Sequence, residues 1–263
     1  MAPAFVGAGR SVLGAIAAGA FLLVRRVPLP PRSTWPAFAL VAVGVGIGFG
    51  LLSAIALPSV GVAATGVVTG LLPLGTAVMA TLRAGERPAS TFWVASAVGT
   101  SLVIGFALAS GGGRIRPGDI LLLVALPLGA IGYAEGGRLS RELPGWQVIC
   151  WALVFALPIS LPVTIVSALR SPPHPGAASL TGFAYISLVS VLLGFFAWYR
   201  GLATAGIARA SQLQLAQPLL TLVWAAVLLH EHVALGTLGV AAGILACVAA
   251  TQRARVSRGV RPG

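Results

Sequence analysis

The chain has 263 residues, of which 57% are hydrophobic and 8% charged, and its mean hydropathy is +0.97. A water-soluble globule carries about 25% charged residues, so a soluble one- or two-domain enzyme is excluded and lipid is the solvent for most of the chain. The net charge of +12 arises from 17 Arg and no Lys against 5 acidic residues. These arginines lie between apolar runs and in the tail, which makes the lipid bilayer a partner and excludes nucleic acid.

In chain order, breaks at Arg, Pro and polar clusters predict nine spans, each near the roughly 20 residues that cross a bilayer. The first covers 3–24. The basic pair Arg25 and Arg26 follows it instead of preceding it, so it is a retained span and not a signal peptide. After the stiff link Pro28-Leu29-Pro30-Pro31 come spans at 35–56, 60–82 and 90–109. The second half holds 118–137, 145–169, 180–200, 206–229 and 233–252. Loops as short as Pro58-Ser59 and His230-Glu231-His232 force their neighbouring helices into antiparallel hairpins. Residues 253–263 form a basic tail. Cys150 and Cys247 lie inside apolar runs, so no disulfide framework is expected.

Assigning alternate loops to two sides puts thirteen arginines on one side, from Arg25 and Arg26 to those of the tail, and only Arg114, Arg116 and Arg170 on the other. The bias of positive charge toward the cytoplasm places the C-terminus inside, in a cytoplasmic membrane.

One offset matches the chain to itself. Pro73 and Pro218, Glu86 and Glu231, and Gly61 and Gly206 are each separated by 145 residues. Arg25 pairs with Arg170 at the same spacing, and the two fall on opposite sides of the membrane, so the copies are inverted. Inverted repeats suit alternating access, in which one half rocks against the other around a site near the midplane. The first copy takes 1–117 with four helices and the second 118–252 with five. The counterpart of the span at 118–137 would precede Met1. The expectation is therefore an all-α multi-pass protein of ten-helix architecture, two inverted five-helix units, read here without its first helix through a late-called start or a shortened chain.

The run from Gly206 through Arg209, Ser211, Gln212, Gln214, Gln217 and Pro218 to Leu229, His230 and Glu231, then Gly239 and Gly243, resembles the last two helices of the EamA family of the drug/metabolite transporter superfamily. The copy around Gly61, Pro73, Gly85, Glu86, Arg87 and Pro88 resembles the family's fourth and fifth helices, and Arg10 sits where its second helix often carries an arginine. The chain departs from the pattern in its absent first helix, in Val94 where the second copy has Gly239, and in His230 and His232 beside Glu231. The resemblance implies a transporter exporting small organic metabolites, amino acids among them, with no cofactor. The alternative from another class is a non-transporting protein of the same fold, a helper subunit or an inactive relative.

Several residues carry two readings. Ser211, Gln214, Pro218 and Thr221 recur at i, i+3, i+7 and i+10, one helix face, and Gln217 lies in the same run. Amides are costly in lipid, so this face lines a wet cavity or hydrogen-bonds neighbouring helices. Pro73 and Pro218 loosen their helices near the middle, as hinges. Arg10 is either a partner for a substrate carboxylate or a side chain that snorkels or pairs with another helix. Glu135 is either a proton-coupling carboxylate or a partner of Arg138 or Arg141. Glu86 and Glu231 sit at hairpin tips as caps and turn-formers. Trp198 and Tyr185 belong to the interfacial belt or stack on substrate. Paired glycines such as Gly44 and Gly48 or Gly132 and Gly136 allow close helix approach. His230-Glu231-His232 lacks the spacing of a helical zinc motif, so no metal is expected, and no nucleophile, base and metal set converges that would make the chain an enzyme.

Overall fold

The structure is a computed structural model that describes residues 1–60, 62–110, 117–173, 176–217, 219–220, 223 and 235–258. Its elements in chain order are α1 (Pro3–Val24), α2 (Arg32–Ser59), α3 (Val62–Ala84), β1 (Glu86–Pro88), α4 (Ser90–Ser110), α5 (Pro117–Leu139), α6 (Gly145–Arg170), α7 (Ala177–Ala205), α8 (Ile207–Gln212), α9 (Leu235–Arg253) and β2 (Val256–Arg258). Helices α1, α2, α5, α6 and α7 are each long and apolar enough to cross a bilayer. Large apolar side chains such as Ile16, Leu82, Val94, Leu161 and Leu169 point outward, which suits lipid and not water as their surroundings.

Helix α1 starts with Pro3 in its first turn, where a missing N–H costs nothing. It stops in a Schellman turn: the Arg26 N–H donates to the Leu23 carbonyl and the Val27 N–H to the Leu22 carbonyl, with Arg26 at φ 51°. Its small side chains Gly7, Ala8, Ser11, Gly14, Ala15 and Ala18 are buried, so α1 lies close on α6 and α2. Helix α2 crosses α5 where glycine faces glycine. A Cβ on Gly44 would come within 2.7 Å of the Gly132 Cα, so the two backbones pack at a distance no side chain permits.

Within α2 the stretch Ala42–Gly48 is π-helical, and within α7 so is Tyr185–Leu193. Such a bulge loosens the carbonyl ladder. The Ser11 hydroxyl of α1 donates to the Gly46 carbonyl in the first of these stretches. Sequence periodicity predicted uninterrupted helices here, because a π turn changes no residue type.

The main core lies between α1, α2, α5, α6 and α7 and holds Phe38, Leu139, Ile149, Leu153, Tyr199 and Leu202. One end of the bundle gathers Val27–Pro31 against Leu143, Gln147 and Trp151, together with the start of α8 and a two-stranded ribbon. The ribbon amends the all-α expectation. In it β1 and β2 pair antiparallel, Glu86 opposite Arg258 and Pro88 opposite Val256. Part of the predicted basic tail is thereby tied to the first hairpin. At the other end Ser59 and Val60 meet Gly118.

The spans predicted at 3–24, 35–56, 60–82, 90–109, 118–137, 145–169 and 180–200 fall on α1 to α7. The span at 206–229 is described from Ile207 to Gln217, and also at 219–220 and 223, and α9 occupies the last. Pro218, Thr221, His230, Glu231, His232, Arg114, Arg116 and His174 lie outside the described residues.

Candidate functional site

A cavity of about 260 Å³ lies between the two halves of the sequence. From the first half it is lined by Phe49, Ser53, Leu57 and Val60, and by Val68 and Leu72 of α3. From the second half come Leu122 and Tyr133 of α5 and Gln214 and Gln217 beyond α8. Leu122 and Tyr133 are eleven residues apart, so the hollow follows about 16 Å of α5. It reaches the end where α2 meets α5, since Leu57 and Val60 are in its wall.

Its polar groups concentrate at the Tyr133 end. After α8 the chain tightens into a 3-10 turn, Leu213–Ala216, and this turn carries Gln214. The Gln214 side chain is within hydrogen-bond reach of the Tyr133 phenol, while its buried Oε1 has no partner among the described residues. The Tyr133 ring stands edge-on to Trp198 with centroids 5.8 Å apart and tilted to Phe195 at 5.9 Å. The Trp198 Nε1 is buried and also has no hydrogen-bond partner among the described residues.

Arg10 reaches this region from α1. Its guanidinium lies over Gly50, at a spot that a Cβ would fill, and Phe49 and Ser53 of the cavity wall flank that position on the same helix. The Arg10 side chain lies near that of Tyr133. Its Nε is buried without a hydrogen-bond partner, and among the described residues no carboxylate pairs with it.

Ser211 and Gln212 take a different position. Both donate to the Pro73 carbonyl, Ser211 Oγ at 3.2 Å and Gln212 Nε2 at 3.1 Å. They join α8 to α3 at the proline and are absent from the cavity lining. Tyr185 is exposed, away from the cavity.

Away from the cavity a layer of paired charge ties the halves together at the ribbon end. Glu135 is buried and accepts from Arg83 Nε at 3.2 Å and Arg138 Nη2 at 2.6 Å. Glu86, equally buried, pairs with Arg141 and accepts the N–H groups of Ile207 and Ala208 at 2.9 and 2.8 Å. Gly206, just before that helix, has φ 93°, a left-handed turn that favours glycine and brings the first N–H groups of α8 onto the carboxylate. Arg209 donates to the Ala254 carbonyl and Gln252 to the Arg209 carbonyl, which closes the same end over α9. Among the described residues no group of His, Cys, Asp and Glu has the arrangement of a metal site.

Of the residues singled out in the sequence, Gln214 and Gln217 line the hollow, whereas Arg10 lies over Gly50 and Trp198 stands edge-on to Tyr133 without being among the lining residues. Tyr133 was missed. An aromatic residue in an apolar run carries no polar signal, and only the fold shows that it meets Gln214.

A family model described as the EamA-like transporter family matches residues 1–109 and 116–251. Over 251 residues the chain is 46% identical to the "Uncharacterized transporter YdeK" of Bacillus subtilis (strain 168), covering 95% of this chain and 88% of that protein. It is 26% identical over 229 residues to "Protein PecM" of Dickeya dadantii (strain 3937), covering 81% and 72% of the two chains. A crystal structure with 20% identity aligns at a TM-score of 0.76 over 96% of this chain and 89% of its own, a likeness of fold.

Proposed function

The chain belongs to the EamA-like transporter family, and we propose that it exports small organic metabolites, amino acids among them, by alternating access through the cavity between two inverted repeats. The observation that carries this reading is the composition of the cavity wall: Phe49 to Leu72 come from one copy, and Leu122, Tyr133, Gln214 and Gln217 from the other. A site shared in this way changes shape whenever the halves rock.

Two further features support the duplication. The π-helical stretches Ala42–Gly48 and Tyr185–Leu193 overlap at the 145-residue offset, and the helix starts Val62 and Ile207 are separated by it. The paired charges at the ribbon end fit a closed cytoplasmic gate, with the cavity reaching the opposite end and the C-terminus inside. Glu135, held by two arginines, acts in this gate.

Counterflow in liposomes holding the purified protein tests the proposal. Preloaded unlabelled metabolite should drive uptake of the same labelled metabolite for at least one member of a broad panel. Exchange of none of them would instead identify a non-transporting protein of the same fold.

A further inference from the structure

The geometry points to a small carboxylate without a compensating ammonium as the cargo, its anionic end held by Tyr133 and Gln214 in the field of Arg10 and its carbon chain against Phe49, Leu57, Leu72 and Leu122. This rests on the transport reading above and narrows its cargo from metabolites that include amino acids to acids that carry no ammonium.

A cation inside a bilayer without a partner is disfavoured by several kcal/mol, and natural intramembrane charges face a partner or a wet cavity. Arg10 has no carboxylate partner among the described residues, because Glu135 is held by Arg83 and Arg138 and Glu86 by Arg141. The described lining of the cavity holds neutral polar groups and no acid. An anionic ligand removes the imbalance at Arg10, whereas an ammonium meets no described counter-charge.

Among the described residues the Nε of Arg10 is buried without a hydrogen-bond partner. An unmade donor in a dry setting is costly, and a carboxylate is the acceptor that suits a guanidinium best. A hollow of about 260 Å³ lies below the roughly 300–1,000 Å³ of pockets for drug-sized molecules, and half of its described lining residues are aliphatic. A short branched or unbranched acid fits, with its chain directed toward Leu57 and Leu122.

The test uses four probes sharing one branched carbon skeleton: 4-methylpentanoate (anion), leucine (zwitterion), 4-methylpentanamide (neutral) and 4-methylpentylamine (cation). Binding to the purified full-length protein is measured by calorimetry. 4-Methylpentanoate should bind at least about tenfold more tightly than each of the others. Arg10→Gln should abolish that preference, and Arg10→Lys should keep part of it. Arg10→Gln should also melt no lower than the native chain, since it removes a buried unpaired charge. Equal or tighter binding of leucine, amide or amine, binding of none of the four, or an anion preference that survives Arg10→Gln overturns the inference. So does a lowered melting temperature in Arg10→Gln, which would mark a structural arginine. Counterflow of the same probes separates the two readings. Anion binding without exchange leaves the site and removes the transporter, whereas exchange of a neutral or cationic probe without anion binding does the reverse.

Discussion

The Glu86 carboxylate accepts the N–H of Ile207 at 2.9 Å, so a hairpin in the first half of the chain caps a helix 121 residues further on. The same carboxylate pairs with Arg141 and is 1% exposed. Removing one member of a buried, hydrogen-bonded ion pair costs about 3–5 kcal/mol because the other is left uncompensated. Glu86→Ala should therefore lower the Tm of the detergent-purified protein markedly, and Glu86→Gln, which keeps an acceptor for one N–H, should lower it less. An unchanged Tm for Glu86→Ala would show that the cap contributes nothing to stability.

Arg26 closes α1 in the left-handed region at φ 51°. A residue other than glycine there costs about 1–2 kcal/mol of backbone strain. Arg26→Gly should raise Tm slightly, by the equivalent of about 1 kcal/mol, and a thermal melt checks the sign.

Gly44 meets the backbone of α5 so closely that a Cβ would come within 2.7 Å of the Gly132 Cα. Backbone cannot step aside as a flexible side chain can. Gly44→Leu should destabilise by about 3 kcal/mol or more, at the upper end of overpacking effects, and should be seen as loss of monodisperse protein in size-exclusion chromatography. A Cβ on Gly19 would meet nothing within 4 Å, so Gly19→Ala is the control that should behave as native.

Gln214 and Ser211 belong to one polar run but should fail in different ways. Gln214 lines the cavity, so Gln214→Ala should slow counterflow by about tenfold or more while Tm holds, as expected for one lost hydrogen bond to a charged group. Ser211 donates to the Pro73 carbonyl. Ser211→Ala should cost about 0.6 kcal/mol of stability, an average interhelical hydrogen bond in a membrane, and leave exchange nearly native. Counterflow rates beside melting curves for both variants check the split.

Much of this architecture is legible in the sequence because lipid imposes long apolar runs and places arginine at their ends. Residues 3–24 are helical as predicted, bounded by Pro3 and the Arg25–Arg26 pair. What stayed hidden depends on contacts between distant segments. The ribbon of Glu86–Pro88 with Val256–Arg258 joins two stretches that read as loop and tail. The cap by Glu86 was foreseen as a cap, but nothing local pointed to Ile207 as its partner. Ser211, Gln214 and Gln217 share one polar run, and only the 3-10 turn at Leu213–Ala216 and the position of Pro73 decide which of them bond α3 and which line the hollow.

Alternating access requires that one cavity be presented to each side of the membrane in turn. Ser53, in the cavity wall, is suited to report on this as Ser53→Cys in a chain whose Cys150 and Cys247 are replaced by alanine. Right-side-out and inside-out vesicles are treated separately with a maleimide that does not cross membranes. The account predicts labelling in both preparations, with Glu86→Ala increasing the rate from the cytoplasmic face and decreasing it from the other. Labelling confined to one face, unmoved by Glu86→Ala, would contradict alternating access.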